Sequence, residues 1–140
     1  MASASRVEMN AHSTALLVLA LSTPGCIVES SSAPPRARGS LLVDWTINGQ
    51  RDADQCDQGN AETIAIIVYS SDGAELAEYQ DACSVFATRI DLPPGAYSAE
   101  AVLLDPSGIE RTTAVNVQAF QIFEGSQLDI PIDFPASSFR

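Results

Sequence analysis

Three cysteines are the residues of this 140-residue chain whose type and spacing suggest chemistry. Cys56 and Cys83 lie within the central part of the chain, whereas Cys26 follows an apolar segment near its start. If Cys26 has a separate role, Cys56 and Cys83 remain as one pair, which we expect to form a disulfide in an oxidising compartment. Closing a loop of about 28 residues stabilises a fold by roughly 3–4 kcal/mol in the entropic model. Two free thiols are the alternative.

The segment before Cys26 has the layout of a secretory signal. Residues 15–21 read Ala-Leu-Leu-Val-Leu-Ala-Leu, which is shorter than the roughly 20 apolar residues that span a bilayer and fits the apolar part of a signal peptide. Gly25-Cys26 is similar to the end of a bacterial lipobox, where cleavage leaves the cysteine as a lipid-bearing N-terminus. Pro24, at the position before Gly25, departs from that family's pattern. We expect residues 1–25 to be a signal peptide and Cys26 to be the lipidation site.

Residues 26–39 are rich in serine and proline. Such a composition does not bury enough apolar surface to fold, so we interpret this segment as a flexible, lipid-anchored tether. The alternative is an ordinary secretory signal followed by a tail, in which case the protein is exported without a membrane anchor.

Three aspartates surround Cys56 in the most polar stretch of the chain, residues 51–60. Asp52, Asp54 and Asp57 offer oxygen ligands of the kind that calcium prefers. Their spacing differs from that of an EF-hand loop, and the glutamate at the twelfth loop position is missing. We therefore predict no metal site, keep the three aspartates as weak candidates, and prefer a solvated loop that carries the disulfide.

The composition argues against most enzyme classes. The single histidine, His12, lies in the predicted signal, and all seven basic residues are arginine. A mature chain without histidine or lysine cannot form a Ser-His-acid triad, a histidine zinc site or a Schiff base. Paired carboxylates that hydrolyse a glycoside remain an alternative, but with eighteen acidic residues some pair is expected by chance. We predict no enzyme and no cofactor.

The net charge of −11 indicates which partners the surface disfavours. Removing residues 1–25 takes away Arg6 and Glu8 and leaves this charge unchanged. Such a surface repels nucleic acid, so we predict no nucleic-acid partner.

Alternating apolar and polar residues predict the elements that must position these groups. The predicted strands are residues 41–47, 63–69, 75–80, 86–90, 97–104, 111–117 and 128–134. Turn sequences such as Asn48-Gly49, Asp72-Gly73 and Pro93-Pro94-Gly95 lie between them. Seven short strands in about 100 residues favour an all-β fold, an antiparallel β-sandwich over residues 40–139, with a small barrel as the alternative.

The stretch after Asp72-Gly73 has a second interpretation as a helix, because its apolar residues also follow a spacing of three and four. We favour a strand because the turn directly follows a clear strand. A hairpin centred on this turn also places Cys83 opposite about residue 62, within reach of a loop from Cys56.

Single residues add further expectations. Trp45 lies on the apolar face of the first strand, and we expect it to be buried. Pro131 cannot donate to a ladder, which predicts an edge or bulged strand. Phe120, Ile122 and Phe123 lie near a loop and either cover an open end of the sandwich or form an exposed recognition patch.

Residues 92–97, Leu-Pro-Pro-Gly-Ala-Tyr, resemble the Leu-Pro-x-Gly-x-Tyr corner of transthyretin-like, carboxypeptidase-regulatory-like and collagen-adhesin B-type domains. The resemblance implies an Ig-like or transthyretin-like sandwich in which Tyr97 enters a strand and its ring pins the corner. Residues 39–139 are also similar to uncharacterised small myxobacterial-type lipoproteins. The shared motifs are Gly-Ser-Leu-x-Val-x-Trp at 39–45, a cysteine in the loop that follows, and Ile-Pro-Ile-Asp-Phe-Pro at 130–135. No activity is implied.

These observations predict a non-enzymatic lipoprotein outside the cytoplasm, at the outer membrane or cell surface, that acts as a binding or structural module of the cell envelope. Its expected partners are the membrane, through the N-terminal lipid, and an envelope protein or extracellular ligand. The alternative is a secreted, untethered sandwich that binds a small ligand or a basic protein.

Overall fold

The computed structural model describes residues 36–140. The predicted signal peptide, Cys26 and most of the predicted tether lie outside the described residues. Within residues 36–140, no helix is both long enough and apolar enough to cross a membrane.

Seven strands form two packed sheets, as the alternation of apolar residues predicted. The strands are β1 (Gly39–Ile47), β2 (Thr63–Ser70), β3 (Glu75–Ala82), β4 (Ala87–Leu92), β5 (Gly95–Leu104), β6 (Val115–Ile122) and β7 (Gln127–Phe134), and the helix α1 is Ala53–Gln58. Short 3₁₀ turns cover Cys83–Val85 and Ala136–Ser138. One sheet has the order β4-β1-β7 and the other β3-β2-β5-β6. The β-sandwich is therefore confirmed.

One strand pair departs from the antiparallel expectation. β7 lies parallel to β1, with Trp45 opposite Ile132, whereas the other pairs are antiparallel. The connection after β6 carries the chain from one sheet to the other, so β7 reaches β1 from the same direction in which β1 runs. The alternation of apolar and polar residues along a strand is the same whichever way the strand runs, so it did not predict that β7 pairs with β1 in parallel.

The core lies between the sheets and is centred on β1. Alternate residues of β1 are almost completely buried, including Trp45, which has no exposed surface. They face β2, where Ile64, Ile66 and Val68 are buried to the same degree. Trp45 also donates a hydrogen bond of 2.8 Å from its ring nitrogen to the carbonyl of Cys83. The expected burial of this tryptophan is confirmed.

The strand predicted over residues 111–117 is wrong in its bounds, because β6 begins at Val115 and ends at Ile122. β6 contains a bulge opposite Tyr97–Ala99, which changes the phase of alternation and hides the continuation of the strand. Ile122 is consequently buried in the core, while Phe123, just beyond the strand, is 62% exposed.

The helical alternative for the stretch after Asp72-Gly73 is wrong, because β3 occupies Glu75–Ala82. The next predicted strand began one residue early. Phe86 has a left-handed backbone with φ of 57° and ends the 3₁₀ turn, so β4 starts at Ala87. The ring of Phe86 is nevertheless buried, with its centroid 6.3 Å from that of Trp45.

Two positional expectations are confirmed. Pro131 lies in β7, an edge strand that pairs only with β1. Tyr97 enters β5, and its hydroxyl donates a hydrogen bond of 2.8 Å to the carbonyl of Pro93. The tyrosine ring thereby fixes the corner between β4 and β5.

Candidate functional site

A disulfide between Cys56 and Cys83 attaches α1 to the sandwich, with the two Cα atoms 6.1 Å apart. Both cysteines are buried. The backbone nitrogen of Cys83 donates a hydrogen bond of 2.8 Å to the carbonyl of Glu62, so Cys83 lies where the hairpin register had predicted. The helix is therefore held against the end of the sandwich at which β2 begins and β3 ends.

The prediction of a solvated loop over residues 51–60 is wrong in part, because these residues contain α1. Asp52 is the N-cap, and its carboxylate accepts a hydrogen bond of 3.0 Å from the backbone of Asp54. Asp57 lies on the helix itself. Within residues 36–140, no group of three or more acidic, histidine or cysteine side chains is arranged to hold a metal. Asp52 therefore caps the N-terminus of α1, and Asp54 and Asp57 are exposed residues of this helix.

A recess of about 360 Å³ lies beside this helix, where β1 ends. It is formed by four separate segments of the chain: the end of β1, α1, the loop before β6, and the segment after β7. The lining residues are Ile47, Asn48, Gln55, Gln58, Gly59, Arg111, Ala136, Phe139 and Arg140.

One wall of the recess is the ring of Phe139, which packs directly on the backbone of Gly59. A Cβ atom at Gly59 would lie 2.2 Å from Cε1 of this ring, well inside van der Waals contact. Phe139 is held in turn by a β-bridge to Thr112. Glycine is therefore required at the end of α1 for the wall to close.

Arg111 forms a charged part of the lining and, like Phe139, contacts Gly59. Its Nε donates a hydrogen bond of 3.2 Å to the carbonyl of Gly59, and the side chain is half-buried. Its backbone nitrogen donates to the carbonyl of Leu103 at 2.7 Å, and its carbonyl accepts from the backbone of Arg140 at 2.9 Å. The two backbone bonds hold the Arg111 main chain, and the Nε bond orients its guanidinium in the lining of the recess.

Arg111 differs from the other five arginines of residues 36–140. Arg36 and Arg38 also lack a carboxylate within 4.0 Å, but both are exposed, whereas Arg111 is half-buried in the recess lining. Arg51, Arg89 and Arg140 each lie within 4.0 Å of a carboxylate, at 2.8, 3.5 and 3.0 Å respectively. Arg111 has no such partner among residues 36–140. The recess therefore contains one guanidinium that the described part of the chain leaves unneutralised.

Amide side chains complete the polar lining. Asn48 donates a hydrogen bond of 3.3 Å to the side chain of Gln55, and Gln58 is exposed one helical turn further on. Asn48 belongs to the predicted Asn48-Gly49 turn, in which both residues have positive φ. The carboxylate of Asp133 accepts a hydrogen bond of 2.8 Å from Gly49, which holds the turn in place.

A tyrosine with a perturbed pKa lies at the opposite end of β2, away from the recess. The hydroxyl of Tyr69 donates a hydrogen bond of 2.5 Å to the carboxylate of Glu100. This bond raises the pKa of Tyr69 to about 12, because ionisation would break the bond and place two negative charges together.

Buried polar groups are few in the described part of the chain. They are Ser40, Thr112 and Ser138, so no aspartate or glutamate is buried there. The paired-carboxylate alternative would need such groups in a cleft, and the recess lining contains none.

Sequence reasoning did not find this recess, although it found the disulfide that positions it. The lining residues are far apart in the sequence, at positions 47–59, 111 and 136–140. The periodicity of apolar residues does not show which loops meet in the fold. One signal was available: Asp52 before a polar run and Gly59 after it match helix start and stop positions.

Comparison with known proteins shows the fold. No protein-family model matches the chain, and no curated protein matches its sequence. The Bacillus anthracis TIE protein has a solved structure with a TM-score of 0.50 and 15% identity, over 71% of this chain and 17% of that one. The minor pilin GBS52 of Streptococcus agalactiae has a TM-score of 0.43 and 11% identity, over 71% of this chain and 45% of the pilin. A candidate adhesin from Bacteroides ovatus has a TM-score of 0.45 and 12% identity, over 69% of this chain and 45% of the adhesin. The chain spans less than half the length of each, and the first likeness shows a shared β-sandwich fold.

Proposed function

We propose that this protein is an exported, lipid-anchored, non-enzymatic binding module that takes its ligand at the recess beside α1. The observation that carries the proposal is the placement of the recess relative to the N-terminal entry. The chain enters the domain at Gly39, the first residue of β1, whereas Ile47, the last, lines the recess. Nine strand residues separate the two ends by roughly 25–30 Å.

This placement suits a protein attached at its N-terminus. A lipid on Cys26 would hold the membrane at the end where β1 begins. The recess would then face away from the bilayer, towards molecules in the envelope or outside the cell. Residues 26–38 would act as the spacer that allows this orientation.

The disulfide supports export. Cys56 and Cys83 are bonded, and both sulfurs are buried in the core. Such bonds persist in oxidising compartments outside the cytoplasm. This location agrees with the secretory signal expected over residues 1–25.

The chemistry of the lining supports binding in preference to catalysis. Guanidinium and amide groups form hydrogen bonds with a ligand, and an aromatic ring offers an apolar surface. At neutral pH none of these groups is a nucleophile or a general base. The recess is thus equipped to hold a polar molecule.

Membrane fractionation tests the anchor. The full chain is expressed in a Gram-negative bacterium as the wild type, as Cys26→Ser, and as Ser32→Ala in the same predicted tether. We expect the wild type and Ser32→Ala in the membrane fraction, and Cys26→Ser in the soluble exported fraction. Wild type in the soluble fraction would contradict the anchor and favour the secreted, untethered alternative. Cys26→Ser that stays with the membrane would also contradict it.

A further inference from the structure

Arg111 is presented to the recess as a pair of hydrogen-bond donors with no partner. Its Nε is occupied by the carbonyl of Gly59. Within residues 36–140, neither of its terminal nitrogens donates a hydrogen bond or contacts a carboxylate. These two nitrogens are the prongs of the planar fork that matches the two oxygens of a carboxylate.

Acidic residues of this chain outnumber basic ones by 18 to 7, yet three of the six arginines in residues 36–140, Arg36, Arg38 and Arg111, have no carboxylate partner there. Of these three, Arg111 is the half-buried one, and it lines the recess. The recess lining nevertheless contains no aspartate or glutamate. The second arginine of the lining, Arg140, is neutralised by Glu110 at 3.0 Å. The charge of Arg111 is therefore left for a ligand.

The remaining lining defines the rest of the ligand. Asn48, Gln55 and Gln58 supply both donors and acceptors, which suits a molecule with several hydroxyl or amide groups. The ring of Phe139 supplies one apolar wall. The volume of about 360 Å³ is at the lower end for small-molecule sites, so the recess fits one sugar ring or a short peptide terminus.

We infer that the recess binds the carboxylate of an acidic ligand, either a uronic acid sugar or the C-terminus of a peptide, with Arg111 as its bidentate partner. This inference rests on the proposed function only in taking the recess as the ligand site. Recognition of a carboxylate by Arg111 does not depend on whether the chain carries lipid.

Matched pairs of acidic and neutral probes test the inference. Galacturonic acid is compared with galactose, and N-acetyl-alanyl-alanine with its C-terminal amide, by NMR titration of the full chain carrying Cys26→Ser to keep it soluble. We expect the backbone signals of Gly59 and Phe139 to shift with at least one acid and not with its neutral counterpart. The acid that produces the shift identifies the source of the carboxylate. Added salt should weaken this binding, because it screens the charges.

Two arginine variants separate recognition from general charge. Arg111→Gln should weaken binding of the acid by about tenfold or more, since hydrogen bonds between charged groups are the strongest in this class. Arg89→Gln, at the other end of the sandwich, should bind as the wild type does. The dispersion of the amide spectrum shows directly whether each variant is folded.

Two of the outcomes that overturn the inference are measured on the chain without an arginine variant, and the third uses Arg111→Gln. Equal shifts with an acid and its neutral counterpart would show that the carboxylate is not recognised. No shift with either acid would also overturn the inference, and so would full affinity in a folded Arg111→Gln. None of these results would alter the membrane fractionation of the wild type, so failure of the inference is distinguishable from failure of the anchor.

Discussion

Removing the disulfide should strongly destabilise the domain. Cys56 and Cys83 are 27 residues apart, and in the loop-entropy model their bond stabilises the fold by roughly 3–4 kcal/mol. Both sulfurs are buried, so replacing the two cysteines by alanine adds the cost of a small cavity. A domain of this size has a free energy of unfolding of about 5–15 kcal/mol, so the double variant should be marginally stable. The melting temperature should fall by roughly 15–25 °C.

Comparing reduction with replacement separates the two causes. Reduction of the wild type removes the cross-link and keeps both sulfurs, whereas the double alanine variant removes the cross-link and the sulfurs. Thermal unfolding followed by circular dichroism should therefore show a large drop on reduction and a further, smaller drop in the variant. Val85→Ala, an exposed residue of the same 3₁₀ turn, serves as the control and should change stability by less than about 0.5 kcal/mol.

A particular result would refute this reasoning. If the reduced wild type melts at the temperature of the oxidised protein, the cross-link does not restrict the unfolded chain as assumed. If the alanine variant is then much less stable than the reduced protein, packing of the sulfurs stabilises this end of the sandwich instead.

Three further changes have defined outcomes. Trp45→Phe leaves a buried carbonyl without its hydrogen bond and should cost about 1–3 kcal/mol in urea unfolding; in the wild type, iodide should barely quench Trp45 fluorescence, and strong quenching would contradict its burial. The raised pKa of Tyr69 means that its contribution to stability is fully present below about pH 10 and is lost as pH rises through about 12. An absorbance titration should therefore contain a component near pH 12 that is lost in Tyr69→Phe and moves to lower pH in Glu100→Gln; a titration from which Tyr69→Phe removes no component near pH 12 would contradict the pairing. Gly59→Ala must displace the ring of Phe139 and should lower stability by about 1–3 kcal/mol, whereas an unchanged melting temperature would show that the ring moves freely.

Local alternation predicted most of the sheet architecture. Where every second residue is apolar, as in β1, one face must be buried, and Leu41 to Ile47 follow this rule. The Asn48-Gly49 turn was equally readable, because positive φ at both positions favours those two residues. The position of Cys83 followed from counting outward from the turn at Asp72-Gly73.

The errors arose where an element depends on distant parts of the chain. The parallel pairing of β7 with β1 is a property of the path between sheets. The bounds of β6 were hidden by a bulge that shifts the alternation by one residue. Phe86 was assigned to a strand because it fits the alternation, although its backbone is left-handed.

The recess shows why site prediction needs the fold. Arg111 and Phe139 are far apart in sequence and are brought together by hydrogen bonds between the loop before β6 and the segment after β7. Neither residue belongs to a recognisable motif. Arg111 shares the absence of a carboxylate partner among residues 36–140 with Arg36 and Arg38, but it is half-buried and lines the recess, and this placement is a property of the folded chain alone.

The intact mass of the exported protein tests the central claim most directly. The account predicts a species that begins at Cys26, is heavier by a diacylglycerol, and resists thiol alkylation until Cys56 and Cys83 are reduced. The same measurement on Cys26→Ser should show no lipid. An exported species without lipid would contradict the anchor, and alkylation of two cysteines without reduction would contradict the disulfide that positions the recess.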